Sequence, residues 1–135
     1  MQPELRYRRS WLSGGIAMVL VITVVCLLPA TELPSTGLSD KTEHFLAFGA
    51  LAFWFGSIVV RRDLPWVFLA AVAFGGLIEF LQSAMGWGRQ GDLLDLAADS
   101  IGVALGVLLV LTPLGRWARW FELQVARVRA ARARA

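Results

Sequence analysis

WLSGGIAMVLVITVVCLL, at residues 11–28, is the stretch that decides the fold class of this chain. It carries no charged side chain on any face, whereas a helix at the surface of a soluble protein needs a polar face. Its length is close to the roughly 20 helical residues that cross about 30 Å of hydrocarbon. We therefore interpret this stretch as a membrane-spanning helix.

The arginines before this stretch also fit the start of a cleaved signal peptide. However, the apolar run is long for such a peptide, and Leu28-Pro29-Ala30 is a poor cleavage site of the small-x-small type. We expect the segment to be a signal anchor that stays in the protein.

Three further apolar stretches follow, at residues 44–60, 66–85 and 93–111, separated by proline, glycine and charged residues. The composition agrees, because 57% of the 135 residues are hydrophobic, which is too many for an ordinary soluble domain. We predict an all-α integral membrane four-helix bundle. Residues 1–113 form its single domain, and a basic amphipathic segment occupies residues 114–135.

The C-terminal segment has apolar and aromatic residues at helical spacing, with arginines between them: Trp117, Trp120, Phe121, Val125 and Val128. This pattern predicts a helix at the membrane interface, where each arginine adds roughly 1 kcal/mol of attraction to an anionic leaflet. No recognisable nucleic-acid-binding motif accompanies the arginines. We therefore expect an anchor rather than a nucleic-acid partner.

Arginine is concentrated in segments that four crossings place on one side of the membrane. These are the residues before the first span, the connection at residues 61–65 and the tail after the fourth span. The first loop is acidic, and the third contains Arg89 as its one basic residue. By the positive-inside rule, both ends of the chain are expected in the cytoplasm.

Most of the remaining ionisable residues fall at the outer ends of three predicted helices. Glu79 and Gln82 are three residues apart, and Asp92, Asp95 and Asp99 share one helix face. The complete set of candidate ligand-binding residues is Asp40, Lys41, His44, Glu79, Gln82, Arg89, Asp92, Asp95 and Asp99.

Depth distinguishes two members of this set. Glu79 and Asp99 each lie about seven residues inside a helix end, which is about 10 Å at 1.5 Å per residue. An ionisable group at that depth costs several kcal/mol unless it is paired, neutralised or hydrated, and by default it marks a functional site. The two could share a proton, or pair with Lys41, His44 or Arg89. A structural hydrogen bond between helices is the alternative for Glu79.

Structural roles are open for other members as well. Asp40 with Glu43, and Asp92 with Asp95, match the capping pattern of a helix start. His44 is the single histidine of the chain, and at a membrane boundary it is either a hydrogen bonder or an acid–base group.

Several short motifs follow one another across residues 38–108: Asp40-Lys41-x-x-His44, Glu79-x-x-Gln82, Arg89, Asp92, Asp95 and Gly102-x-x-x-Gly106. Their order and spacing resemble the VanZ-like family. The resemblance implies a cell-envelope protein of the bacterial cytoplasmic (inner) membrane, whose namesake is associated with reduced susceptibility to glycopeptide antibiotics of the teicoplanin type. It implies no established reaction. The chain departs from the family at Asp99, where Asn is typical.

Two functions from different classes fit these residues. In the first, the protein binds or modulates an isoprenoid phosphate lipid or a lipid-linked peptidoglycan precursor and so influences glycopeptide susceptibility. Lys41, Arg89 and a protonated His44 would hold the phosphate. In the second, a membrane enzyme acts on a lipid-linked phosphate at the outer leaflet, with His44, Glu79 and Asp95 as catalytic candidates.

No cofactor and no metal site are predicted, because no spacing is diagnostic of a metal. A divalent cation would suit the oxygen ligands of Glu79, Asp95 and Asp99 on chemical grounds alone. A transporter is a weaker interpretation, since the sequence shows no inverted repeat. Membrane lipids are the expected partners, and both self-association and attachment to a larger envelope complex stay open.

The predicted orientation has a direct test. A reporter enzyme that is active outside the cytoplasm is expected to be active when fused at Thr36 and silent when fused at Asp63, because the acidic first loop faces outward and the arginine-rich second loop faces inward. Reporter activity, normalised to the amount of fusion protein, is the measurement. The reverse pattern would overturn the orientation.

Overall fold

The computed structural model describes residues 2–32, 36–85 and 91–134, and this part of the chain contains helices and no strands. The α-helices are α1 (Arg8–Leu27), α2 (Asp40–Ile58), α3 (Leu64–Met85), α4 (Leu93–Val110) and α5 (Trp117–Arg132). Short 3-10 turns occur at Ala30–Glu32, Arg61–Asp63 and Pro113–Arg116. The prediction of an all-α bundle with a helical C-terminal segment is confirmed.

Three of the described helical segments are long and apolar enough to cross a membrane: Arg8–Leu27, Arg61–Met85 and Leu93–Val110. The apolar side chains of α1 support this, because Leu20, Val21 and Val24 all point away from the bundle. α2 is not among the three, and its first turns carry Asp40, Lys41, Glu43 and His44. A crossing by α2 therefore stays a prediction.

α2 and α4 run parallel and approach each other closely through glycines. Gly102 of α4 packs against the carbonyl oxygen of Phe45, and Gly106 packs against the carbonyl oxygen of Gly49. A Cβ atom at either α4 position would overlap that backbone, so the approach requires glycine. The small residues of α4 thus permit close helix packing.

α1 and α3 complete the bundle around an apolar core. Phe48 of α2 lies at its centre, fully buried and in contact with the ring of Phe74 at a centroid distance of 5.5 Å. Ile22 of α1 and Ile78 of α3 belong to the same cluster. These contacts place the C-terminal ends of α1 and α3 beside the N-terminal ends of α2 and α4. We call this end of the molecule the polar end.

α5 is held against the N-terminal segment by Glu122. Its carboxylate accepts hydrogen bonds from the backbone N–H groups of Arg6 (2.7 Å) and Tyr7 (2.9 Å) and from the indole of Trp11 (2.8 Å). Burial by itself would raise the pKa of Glu122, but these hydrogen bonds outweigh it and hold the pKa below its ordinary value. Tyr7 makes no side-chain cap for α1, and Glu122 instead binds the two backbone N–H groups that immediately precede the helix.

The glycine contacts predict opposite effects for two alanine substitutions. G102A is expected to lower the free energy of unfolding by about 1–3 kcal/mol, because the new methyl group meets the α2 backbone. G76A is the matched control, since a Cβ there meets open space and alanine favours a helix by roughly 0.5–1 kcal/mol over glycine. Thermal unfolding in detergent measures both. Equal stability of the two variants would contradict the close contact of α2 and α4.

Replacing Glu122 tests the attachment of α5. E122Q is expected to lower the free energy of unfolding by about 1–3 kcal/mol, because the charge-assisted hydrogen bonds are lost. The pKa of Glu122 is lowered on folding, so its contribution is present above the unfolded pKa and disappears as the pH falls through the folded pKa. The stability difference from wild type should therefore shrink in acid. E4Q, which removes an exposed ion pair with Arg119, should change little.

Candidate functional site

A cluster of buried ionisable groups lies inside the polar end, where α2, α3 and α4 meet. It consists of His44 (3% exposed), Glu79 (7%) and Asp99 (0%), which we call the buried triad. His44 Nδ1 lies 3.0 Å from Asp99 Oδ1 and 3.9 Å from Glu79 Oε1. The two deep carboxyl groups singled out by the sequence therefore meet around one imidazole.

The helix packing explains why these side chains meet. Because α2 and α4 are parallel, a residue of α2 faces the residue of α4 that lies 54 or 55 positions later in the chain. Lys41 therefore contacts Asp95, and His44 contacts Asp99. Gly75 of α3 packs against the Asp99 carboxylate, and a Cβ there would lie 2.6 Å from Asp99 Oδ2. Gly75 is not singled out in the sequence analysis. Its position one turn before Glu79 on the same helix face was the available signal.

Three atoms of the buried triad have no hydrogen-bond partner among the described residues. They are His44 Nε2, Glu79 Oε1 and Asp99 Oδ2. A buried polar atom left unsatisfied costs about 1–3 kcal/mol, so proteins rarely retain such atoms without a reason. Their concentration in one place indicates that the triad is arranged for something other than packing.

Lys41 links α2 to α4 at the rim of the site. Its Nζ atom donates to Asp92 Oδ2 and to Asp95 Oδ1, both at 2.8 Å. These hydrogen bonds raise the pKa of Lys41 above its ordinary value. The pKa of Asp92 is lowered, because its carboxylate accepts hydrogen bonds from Lys41 and from the backbone N–H of Leu94. Lys41 and Asp92 are therefore both charged at neutral pH.

The helix starts show one capping prediction correct and one wrong. Asp92 is the N-cap of α4, since its Oδ1 accepts from Leu94 N–H at 2.8 Å, while its own N–H donates to Glu79 Oε2 at 2.6 Å. The N-cap of α2 is Ser39, not Asp40, because the extended backbone of Ser39 lets its Oγ accept from Thr42 N–H. Asp40 lies in the first turn instead.

Two other candidates from the sequence have different positions. Gln82 donates from Nε2 to the carbonyl oxygen of Cys26 at 2.9 Å, which ties α3 to the end of α1. This bond gives Gln82 a structural role that its spacing from Glu79 did not indicate. Arg89 lies outside the described residues. Asp40 and Asp95, by contrast, bring carboxylate oxygens within 4.8 Å of the His44 ring and of each other.

A cavity of about 170 Å³ lies between α1 and α2 beside the buried triad. Asp40, Glu43 and His44 form its polar side, while Val21 and Val25 are among the apolar residues on α1. A second, apolar cavity of about 560 Å³ lies among α1, α2 and α3. Ala47 lines the first and Leu51 the second, so the two are separated by one turn of α2.

Comparison with known proteins identifies the family of this chain. Residues 27–116 match the family described as VanZ/LLP1. The chain belongs to the VanZ-like family. The uncharacterised protein C11E3.10 of Schizosaccharomyces pombe is 31% identical over 106 residues, which cover 76% of this chain and 63% of that protein. The chain thus spans less than two thirds of the length of this relative. No solved structure matches.

Membership of the VanZ-like family, together with three helices able to span a bilayer, makes this a membrane protein. The matched region contains α2, α3 and α4 in full, and with them the buried triad and the Lys41 rim. α5 and nearly all of α1 lie outside it. The candidate site therefore belongs to the VanZ-like part of the chain, and the Glu122 contact belongs to the segments around it.

Proposed function

We infer that this VanZ-like protein binds the phosphate-bearing headgroup of a membrane lipid at its polar end. The cavity between α1 and α2 carries this proposal, because His44 lies on its polar side and valines of α1 line its apolar side. A lipid needs such a pairing, with polar groups at the headgroup and an apolar surface along the chain. The larger apolar cavity one turn further along α2 offers space for the lipid chain.

The rim residues suit a headgroup that carries phosphate. Lys41 is half-exposed, and Asp92 and Asp95 take two of its three N–H groups, so one donor remains for a phosphate oxygen. Asp92 and Asp95 also hold the ammonium group in one place, as carboxylates do around other phosphate-binding cations. His44 Nε2 supplies a second polar contact on the cavity side.

The arginine distribution supports an orientation in which both ends of the chain face the cytoplasm and the polar end faces outward. The resemblance to the VanZ-like family implies that the membrane is the bacterial cytoplasmic membrane. In that orientation the site meets isoprenoid phosphate lipids and lipid-linked peptidoglycan precursors at the outer leaflet. Binding them would influence glycopeptide susceptibility, as the resemblance to the VanZ-like family implies.

Retention of undecaprenyl phosphate by the purified full chain in detergent tests this function. We expect A47F to weaken retention by at least about tenfold, because the new ring fills the cavity beside His44 without changing any charge. A73F, which adds the same ring to an exposed position of α3, is the matched control and should retain lipid like wild type. Equal retention by both variants, or none by wild type, would refute the proposed function.

A second candidate function is an enzyme that cleaves or transfers a lipid-linked phosphate. The observation that favours it is the hydrogen bond between His44 Nδ1 and Asp99 Oδ1, which leaves Nε2 as a base on the cavity side. This arrangement is typical of an imidazole oriented by a carboxylate for general acid–base catalysis. Products released from the same lipid by wild type and absent with H44A would establish it. Retention without product would favour binding alone.

A further inference from the structure

We propose that the buried triad is a binding site for one divalent transition-metal ion, with His44, Glu79 and Asp99 as its protein ligands. The sequence predicted no metal, because one ligand comes from each of three separate helices. The site itself stands on the geometry of the described residues. Only the role given to the ion below, as a bridge to a lipid phosphate, rests on the proposed function.

The distances within the triad are those of ligands around one ion. Two donor atoms that each lie about 2.1 Å from a metal are about 3.0 Å apart at a right angle and about 4.2 Å apart when opposite. His44 Nδ1 lies 3.0 Å from Asp99 Oδ1 and 3.9 Å from Glu79 Oε1, within this range. The donor atoms of all three residues lie within 4.8 Å of one another.

The unsatisfied atoms provide an independent indication. Glu79 Oε1 and Asp99 Oδ2 lack hydrogen-bond partners among the described residues, and both side chains are more than nine-tenths buried. A metal ion would use such oxygens directly. The other oxygen of Glu79 accepts from the Asp92 N–H, so its carboxylate is already oriented from outside the triad, as ligating carboxylates commonly are.

The donor set selects the class of ion. One imidazole nitrogen and two carboxylate oxygens suit Zn²⁺ or Mn²⁺ better than Ca²⁺ or Mg²⁺, which prefer oxygen ligands throughout. Three protein ligands leave at least one coordination position for water or another group. Sites that keep such a position bind or activate a ligand, whereas structural zinc sites are closed by four protein ligands.

The charge of the polar end gives the ion a role. The described residues there include six carboxyl groups, against the cations Lys41 and, when protonated, His44; the six are Asp40, Glu43, Glu79, Asp92, Asp95 and Asp99. The excess of carboxylates would weaken the attraction that Lys41 exerts on a phosphate. A divalent ion in the triad would neutralise Glu79 and Asp99 and present its open position to a phosphate oxygen, so the acidic end could accept an anionic headgroup.

Metal binding can be measured on the full chain in detergent without any lipid. The protein is purified through a tag that lacks histidine and stripped with a chelator, so that His44 remains its single histidine. We expect titration with Zn²⁺ to give one bound ion per chain and to shift the imidazole ¹⁵N signals of His44. The proposal would be overturned if the wild-type protein bound no Zn²⁺, or if the His44 signals did not shift on addition of Zn²⁺.

Conservative variants identify the ligands. E79Q and D99N keep the shape of each side chain and are expected to weaken Zn²⁺ binding by at least about tenfold. E4Q is the control, because Glu4 forms an exposed ion pair with Arg119 and belongs neither to the triad nor to the cavity beside it. It should bind Zn²⁺ like wild type. Unchanged affinity in both E79Q and D99N, with helical content preserved, would exclude the triad as the site.

Lipid retention with and without Zn²⁺ separates this proposal from the proposed function. Retention of undecaprenyl phosphate that rises at least about tenfold with Zn²⁺ supports the bridge. Retention that is equal with and without the ion overturns the bridge and leaves the lipid site standing. If the protein binds Zn²⁺ but retains no lipid with or without the ion, the proposed metal site is supported and the proposed function is refuted.

Discussion

The close parallel contact between α2 and α4 is the constraint on which the rest of the structure depends. Gly102 and Gly106 let the α4 backbone lie directly against the carbonyl groups of α2, with Gly49 on the facing side. Once two helices touch through backbone, they can neither rotate nor slide without a clash, so their register is unique. That register places His44 opposite Asp99 and Lys41 opposite Asp95.

The parallel arrangement also determines the electrostatics of the polar end. Two helix N-termini meet there, and each carries partial positive charge from its unpaired N–H groups. Asp92 is the N-cap of α4 and Asp95 lies in its first turn, where that charge stabilises carboxylates. α3 runs the opposite way and contributes Glu79 near its C-terminal end, where the helix dipole gives no such support. Glu79 instead accepts the Asp92 N–H, and its second oxygen remains available within the triad.

Several features of the site could be predicted because they depend on local properties of the chain. The depth of Glu79 and Asp99 inside apolar segments was sufficient to expect that each has a partner, since an isolated charge there is too costly, but it left open whether they pair with each other or with Lys41, His44 or Arg89. The cap at Asp92 follows from its position before an apolar run. The cap at Ser39 was missed, because Ser39 and Asp40 are both good caps and the choice depends on which residue has extended backbone. The bond from Gln82 to Cys26 joins two helices, and no local pattern reports it.

The sequence by itself determined that this is a helical membrane protein with most of its carboxyl groups at one end and most of its arginines at the other, because hydropathy and charge add up along the chain without reference to neighbouring helices. Tertiary structure alone decided which groups touch. The attachment of α5 through Glu122 joins residues more than 100 positions apart, and the buried triad takes one residue from each of three helices. Such contacts depend on helix rotation and register, which side-chain packing determines and composition does not encode.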